Sequence, residues 1–542
     1  MPDHRQGADT GGRKASLILG LVALALALGV PYFEAVRNAN ERPRLLQGMA
    51  LVECGEWSID GPSARRLSPG PDVSRSPIDG RLYPNKPPAT SLVAAAAYRL
   101  GQVGEPATLR SYTAWARILG GWLPTMLLVL WMWRRFAPSL GPAPVVASLT
   151  IYALGTPAAS YAHLLYGHQL AAAFLAVGSL LVVDGVIGER WRRAALGGAM
   201  AALSITVEYG AAFAGLPLAI FLLAALRRRG RAALPSILAA ASAALLPVIL
   251  LGAYHAAVYG SPWATGYHHV INPEFAAKHG QGFLGLGLPT FAGIREHIVA
   301  ADTGLLWWAP LAVVGLVGLV GLGRTTEEPR LRAQARVLCG ILGLFLLLTV
   351  SLSFTGGWRV GPRYVVVALP AMVPGLAWVL AKARRRPVVL TWIVALAIWS
   401  TVVNGLAANL WPHIDPTNVD FPVGEVLVPL ARTVEPYDLL SASGGGDLPV
   451  MPLVAAASVV AILGALVWLV RGARRAYGAV VLGVGIGLVG FALSLRLPAH
   501  PRAAANLRYI ERVWEPRQGS PGPSVKLDPP TQESQLCGGR VR

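Results

Sequence analysis

Charge is scarce in this chain. Only 14% of its 542 residues are Asp, Glu, Lys or Arg, while 54% are hydrophobic and the mean hydropathy is +0.51. A chain so poor in charge cannot dress an ordinary soluble surface. Acids are scarcer still, 28 against 47 Lys and Arg. The resulting net charge of +19 would suit nucleic acid, but the cations fall in short clusters between apolar runs. That distribution is a topology signal, and no nucleic-acid partner is expected. The three cysteines, Cys54, Cys339 and Cys537, have no metal-ligand spacing; Cys54 and Cys537 could face an oxidising compartment and pair. No GxxxxGK(S/T), dinucleotide-binding glycine pattern or HExxH occurs, so a soluble nucleotide donor has no recognisable site.

Long apolar runs are what the chain does have. They repeat at about 16 to 25 residues, the length a helix needs to cross the hydrocarbon core. The fold class expected is an all-α polytopic membrane protein with about thirteen transmembrane helices over residues 15–495. The expected spans are 15–33, 116–133, 143–162, 170–187, 194–206, 211–226, 233–258, 305–322, 337–354, 365–381, 388–410, 452–470 and 479–495. Residues 194–206 and 211–226 are short enough to form a re-entrant pair, which would leave eleven spans. The first run is followed by Phe33-Glu34-Ala35 rather than a small-x-small cleavage site, so it reads as an uncleaved helix.

The arginine clusters place residues 1–14 on the cytoplasmic side of the cytoplasmic membrane and the tail, 496–542, outside. From about residue 516 that tail is rich in Pro, Gly and Ser and is expected to be disordered. The large outer loops are then 34–115, 259–304 and 411–451. In the first, Leu45, Met49 and Val52 recur at helical spacing, as in a helix lying on the membrane surface.

The polar residues that could carry chemistry collect on the outer face: Asn40, Glu41, Arg44, Asp60, Asp79, Tyr83 and Lys86 in the first loop, then His168, Glu208, Tyr267, Arg359 and Arg363. Such a set suits an enzyme whose sugar donor is lipid-borne. A polyprenyl-phosphate donor leaves behind an anionic phosphate, whose departure needs fixed cations rather than a general acid. Lys86, Arg359 and Arg363 could supply them, the arginines with a bidentate grip. The attacking hydroxyl needs a carboxylate base; Glu41 is the first candidate, with Asp60 and Asp79 behind it. Each residue also has a plainer reading. Asn40 could be an N-cap with Glu41 in the first helical turn, Lys86 could snorkel to headgroups, His168 could be a satisfied interfacial histidine, and Glu208 could mark a helix end. Arg359 and Arg363 flank Val-Gly-Pro, which suits a rigid turn. The alternative function, a transporter or flippase of envelope precursors, predicts repeated halves and mid-membrane charges; no repeat of the halves is evident and the charges sit at helix ends.

The order N-E-R-P-R at residues 40–44, E-x-G-E-W at 53–57 and G-R-L-Y-P-N-K-P-P at 80–88 resembles the first outer loop of the GT-C membrane glycosyltransferases. The branch most resembled contains the lipid A aminoarabinose transferases and the protein O-mannosyltransferases. Later segments, YGHQLAAA, VEYG, YGSPWATGY, GLLWWAP and GGWRVGPRY, look like those of bacterial GT-C relatives. The resemblance implies inverting transfer of a hexosyl or pentosyl unit from a polyprenyl-phosphate donor to an envelope lipid, glycan or protein. It also implies a site lined by Asn40, Arg44, Tyr83, His168, Glu208 and Tyr267; some relatives use a divalent cation. Tyr83 and Lys86 match the family pattern directly. Asn40 stands where those enzymes carry the acidic base, and an amide cannot accept the proton, so Glu41 or another acid must take that role.

Overall fold

The structure is a computed structural model of the chain and describes residues 3–30, 36, 38–63, 68–103, 107–280, 285–415, 417–433 and 450–514. Cys537 and the tail expected to be disordered lie outside them. Helices dominate because a backbone in hydrocarbon must satisfy its own hydrogen bonds. After α1 (Asp3–Leu28), the first loop holds α2 (Glu41–Glu53), β1 (Val73–Arg75), β2 (Leu82–Pro84) and α3 (Ala89–Gly101). There follow α4 (Leu109–Leu140), α5 (Pro142–Leu154), α6 (His168–Ile187), α7 (Trp191–Val207), α8 (Gly215–Arg229) and α9 (Leu234–Tyr259). Beyond the second loop come α10 (Pro310–Thr325), α11 (Pro329–Val350), α12 (Arg363–Ala383) and α13 (Pro387–Leu410), and last α14 (Val450–Val470) and α15 (Arg474–Ser494).

Among the described residues, ten helices are long and apolar enough to cross a bilayer, and α5 and α10 are shorter apolar ones. With α7 they account for the thirteen segments expected. α7 packs between α6 and α9 through glycine: a Cβ at Gly197 would strike the backbone of Val182, and one at Gly198 the backbone of Ala240. Small residues at such contacts let helices in lipid approach closely.

Two expected spans are broken. The run 143–162 stops at Leu154, capped by Gly155 N–H to Ile151 O, and resumes only as a short helix at Ala158–Ala162. The run 305–322 divides at Ala309 because Pro310 has no N–H to continue the ladder and instead opens α10.

A further difference concerns α2, which is enclosed in protein rather than laid on a membrane surface. Nine of its residues from Glu41 to Ala50 are buried, and it packs on α3, with Gly48 set against Ala94 and the Tyr112 hydroxyl. The Leu45 and Met49 stripe faces neighbouring helices, a distinction that apolar periodicity alone does not draw.

The arginine clusters gather at one end of the bundle. Arg135 (3.0 Å) and Arg330 (3.7 Å) converge on buried Asp184, which also accepts from Gln334, and Arg384 donates to Arg471 O. At the opposite end the first two loops are stitched together. β1 and β2 pair antiparallel, and Ile271 N–H donates to Val73 O at 3.1 Å, so the second loop lies along the hairpin.

Candidate functional site

The stitching of the two loops sets Lys86 beside Tyr267. Gly266 lies so close to Asn85 that an added Cβ would meet Asn85 Cα at 2.6 Å. Lys86 Nζ donates to Tyr267 Oη at 3.1 Å and stands 4.6 Å from the ring centroid. The lysine is buried and has no ion-pair partner among the described residues. Burial pushes its ammonium below the ordinary lysine range; Asp72 opposes that shift and Arg363 adds to it.

Arg363, the first residue of α12, is the second cation. Its Nη2 donates to Tyr364 Oη at 3.2 Å and its Nη1 to Trp358 O at 3.4 Å, while among the described residues Nε has no partner and no carboxylate pairs with the guanidinium. Glu208 sits in the extended break after α7. Arg44 Nη2 at 3.3 Å and His168 Nδ1 at 3.5 Å both approach its Oε1, which leaves Oε2 available. Burial pushes the Glu208 carboxyl above the ordinary carboxylate range, against the pull of Arg44, Lys86 and Arg363.

His168, Glu208, Tyr267 and Tyr364 form the polar end of a cavity of about 830 Å³ whose other walls are mostly apolar, among them Ile205, Phe213, Val248, Leu251, Phe345 and Leu348. Its flank on α9 opens outward, with Ile249 61% exposed. A polar end, apolar walls and a side opening towards lipid together fit an amphiphile with a charged head.

The remaining expected residues lie elsewhere. Glu41 is fully buried and clasped by Arg117, Nε to Oε1 at 3.0 Å and Nη2 to Oε2 at 2.9 Å, and Leu165 N–H donates to Oε1 at 2.8 Å. It belongs to the framework behind the cavity. Asn40 precedes α2 without a side-chain cap bond; its carbonyl and Oδ1 accept from Arg44 Nη1 at 3.1 and 3.4 Å. Asp60 accepts from Ser58 Oγ and Leu82 N–H, and Asp79 from Arg81 N–H and the Tyr83 hydroxyl. Both acids are exposed braces of the hairpin. Tyr83 thereby faces its own turn and packs on Val258 and Tyr259 instead of lining the cavity. Arg359 is spent on Asp302 at 2.9 Å, on Thr303 and on the carbonyls of Gly356 and Gly357.

Two residues join the site that sequence reasoning did not single out. Asp72, buried just before β1, accepts from Asn85 Nδ2 at 3.4 Å and acts electrostatically on Lys86, Glu208 and Tyr267. Its only signal was that of a lone acid within a Ser/Pro-rich run. Tyr364 is the residue after Arg363. Among the described residues no three of His, Cys, Asp and Glu converge to hold a metal ion. The carboxylates of Asp72 and Glu208 are interleaved with Lys86, Arg44 and Arg363, a set that does not fit a divalent cation.

No protein-family model matches the chain, and no curated protein does. Among solved structures the chain is similar to ArnT from Cupriavidus metallidurans bound to undecaprenyl phosphate, at 15% identity and a TM-score of 0.41, over 86% of this chain and 77% of that one. It is similar to ArnT from the same organism in the apo state, at 17% identity and a TM-score of 0.41, over 87% and 78%. It is also similar to arabinosyltransferase EmbB from Mycobacterium smegmatis, at 14% identity and a TM-score of 0.44, over 91% of this chain and 41% of that one.

Proposed function

We propose that this protein is a membrane glycosyltransferase that passes a sugar from a polyprenyl-phosphate donor to an envelope lipid, glycan or protein at the outer face of the cytoplasmic membrane. The observation that carries the reading is a pair of buried cations, Lys86 and Arg363, with no ion-paired carboxylate among the described residues, behind the polar end of a lipid-open apolar cavity. Buried charge without a counter-charge is unfavourable unless a ligand completes it. A phosphate on an apolar tail would do so, with the tail along Phe213, Leu251 and Leu348 and the phosphate beside Lys86 and Arg363.

In the reaction an acceptor oxygen attacks the anomeric carbon opposite the phosphate. The bond from that carbon to the phosphate oxygen breaks, the electron pair leaves with the phosphate, and configuration inverts. Lys86 and Arg363 stabilise the charge that develops there. Glu208 takes the acceptor proton on Oε2; its raised pKa brings it nearer the working pH of a base. Arg44 and His168 hold its other oxygen, and the Glu41–Arg117 pair fixes α2, which carries Arg44.

Purified protein in nanodiscs, supplied with undecaprenyl phosphate or with the uncharged polyprenol of the same length, tests the reading. The phosphate should bind more tightly, and Lys86→Ala and Arg363→Ala should each remove that preference. Glu208→Gln should retain binding but abolish transfer from a labelled polyprenyl-phosphate sugar, whereas Asp72→Asn should leave residual transfer. A label that crosses sealed vesicles intact, with its sugar–phosphate bond unbroken, would establish the transporter instead.

A further inference from the structure

A second apolar cleft lies at the arginine-rich end, between α8 and α11, with a volume of about 460 Å³. We propose that it binds an anionic phospholipid of the leaflet on that side. The proposal is independent of glycosyl transfer and uses none of the residues assigned to that reaction.

Ile220, Phe221 and Val337 supply apolar walls, and Ile220 is 59% exposed, so the cleft opens sideways to lipid. At Gly340 the two helices touch, since an added Cβ would already meet Pro217 at 3.0 Å, and the cleft shares no lining residue with the larger cavity. The rim is formed by Arg228, Arg229, Arg332 and Arg336. Two of these are anchored by neutral carbonyls, Arg332 on Thr326 O at 2.9 and 2.6 Å and Arg336 on Gly323 O at 3.3 Å, which orients the guanidinium without cancelling its charge. Arg229 donates to Ile187 O at 2.6 Å and reaches Glu189 at 3.4 Å; Glu189 is the acid paired at this rim among the described residues. Arg228 is exposed and has no ion-pair partner among them.

Four guanidiniums, one of which pairs with a carboxylate among the described residues, above walls that carry no charge match a phosphate headgroup with its acyl chain below. Phosphate is the anion whose geometry the arginine fork fits best. A soluble anion would make no use of the apolar walls, and a neutral lipid would make no use of the rim.

Native mass spectrometry of the full chain in detergent decides the matter, with phosphatidylglycerol and phosphatidylcholine of equal chain length as probes. Phosphatidylglycerol should bind about tenfold more tightly, the scale expected when a few arginines meet one anionic headgroup. The preference should vanish in the double variant R228Q/R336Q and survive in R385Q/R386Q, which alters a different arginine cluster. Ala333, another lining residue, provides a second variant: Ala333→Trp should fill the cleft and remove bound lipid while every arginine stays in place. Equal binding of the two lipids would overturn the proposal, as would equal losses in both double variants or an unchanged preference in Ala333→Trp. Displacement of the lipid by an equal concentration of inorganic phosphate would overturn it too, and would mark a free-anion site.

Discussion

The two ends of the first long loop hold their charges in opposite ways. At the α2 end every charge is matched: Glu41 is gripped by Arg117 through both oxygens, and Arg44 reaches Glu208 and Asn40. At the far end Lys86 is buried too, but among the described residues it leans on a tyrosine hydroxyl, and Arg363 leans on another and on the Trp358 carbonyl. Matched burial fixes a loop in place, whereas unmatched burial of one sign leaves a demand that only a ligand of the other sign can meet. The same contrast recurs between Arg359 and Arg363, four positions apart, where Arg359 is spent on Asp302 and Arg363 is not.

The sharpest way to break this contrast is at its matched end. Glu41→Gln takes away the carboxylate charge that buried Arg117 grips through two bonds, and the variant should lose about 3–5 kcal/mol of stability. Thermal unfolding in detergent reads that loss. Glu41→Gln combined with Arg117→Met should recover part of it, because the buried cation that faced the lost carboxylate is then gone. A stable Glu41→Gln single variant with transfer abolished would reverse the assignment and return Glu41 to the role of base.

At the unmatched end the effects should fall on activity. Lys86→Ala and Arg363→Ala should each lower the rate of sugar transfer by about 10²–10³-fold, the usual effect of removing one donor to developing charge. Neither should lower the unfolding temperature, since each substitution removes a buried charge that has no ion pair among the described residues. Loss of stability in both variants would mean that the cations are structural.

The pH profile gives a gentler test of the same end. Transfer requires Glu208 ionised and Lys86 protonated. The carboxyl is raised by burial, so activity should fall on acidification at a pH above the ordinary carboxylate range. The ammonium is lowered by burial, so activity should fall on alkalinisation at a pH below the ordinary lysine range. Lys86→Arg should remove the alkaline limb and leave the acid limb where it stands.

Much of the architecture was legible because apolar runs of bilayer length have few alternatives, and Lys86 was legible because a lone lysine between prolines is conspicuous. What could not be read was who meets whom. Glu41 looked like a base because its partner, Arg117, belongs to the next helix and nothing in N-E-R-P-R announces it. Asp72 was invisible because its place beside Lys86 arises only when β1 and β2 pair and Asn85 N–H donates to Asp72 O at 3.2 Å. The periodicity of α2 revealed an apolar stripe but could not say that protein, rather than lipid, would cover it. Arg359 and Arg363 were indistinguishable until Asp302 claimed one of them.

The smallest effects belong to the acids between the two ends. Asp60 and Asp79 are exposed, and each accepts one backbone N–H and one hydroxyl, so neither points at the cavity. Asp79→Asn keeps an acceptor for Arg81 N–H and the Tyr83 hydroxyl but gives up charge-assisted bonds, a loss of about 1 kcal/mol of local hairpin stability. The hairpin carries Lys86, so transfer should drop by no more than about fivefold, through a looser cation rather than an absent one. Tyr83→Phe removes the same bond from the other side and should match Asp79→Asn in size, with the double variant no worse than either alone. A drop of a hundredfold in Asp79→Asn with Tyr83→Phe unaffected would show that the carboxylate itself reaches the reacting atoms, and the division between the two ends of the loop would fail at that residue.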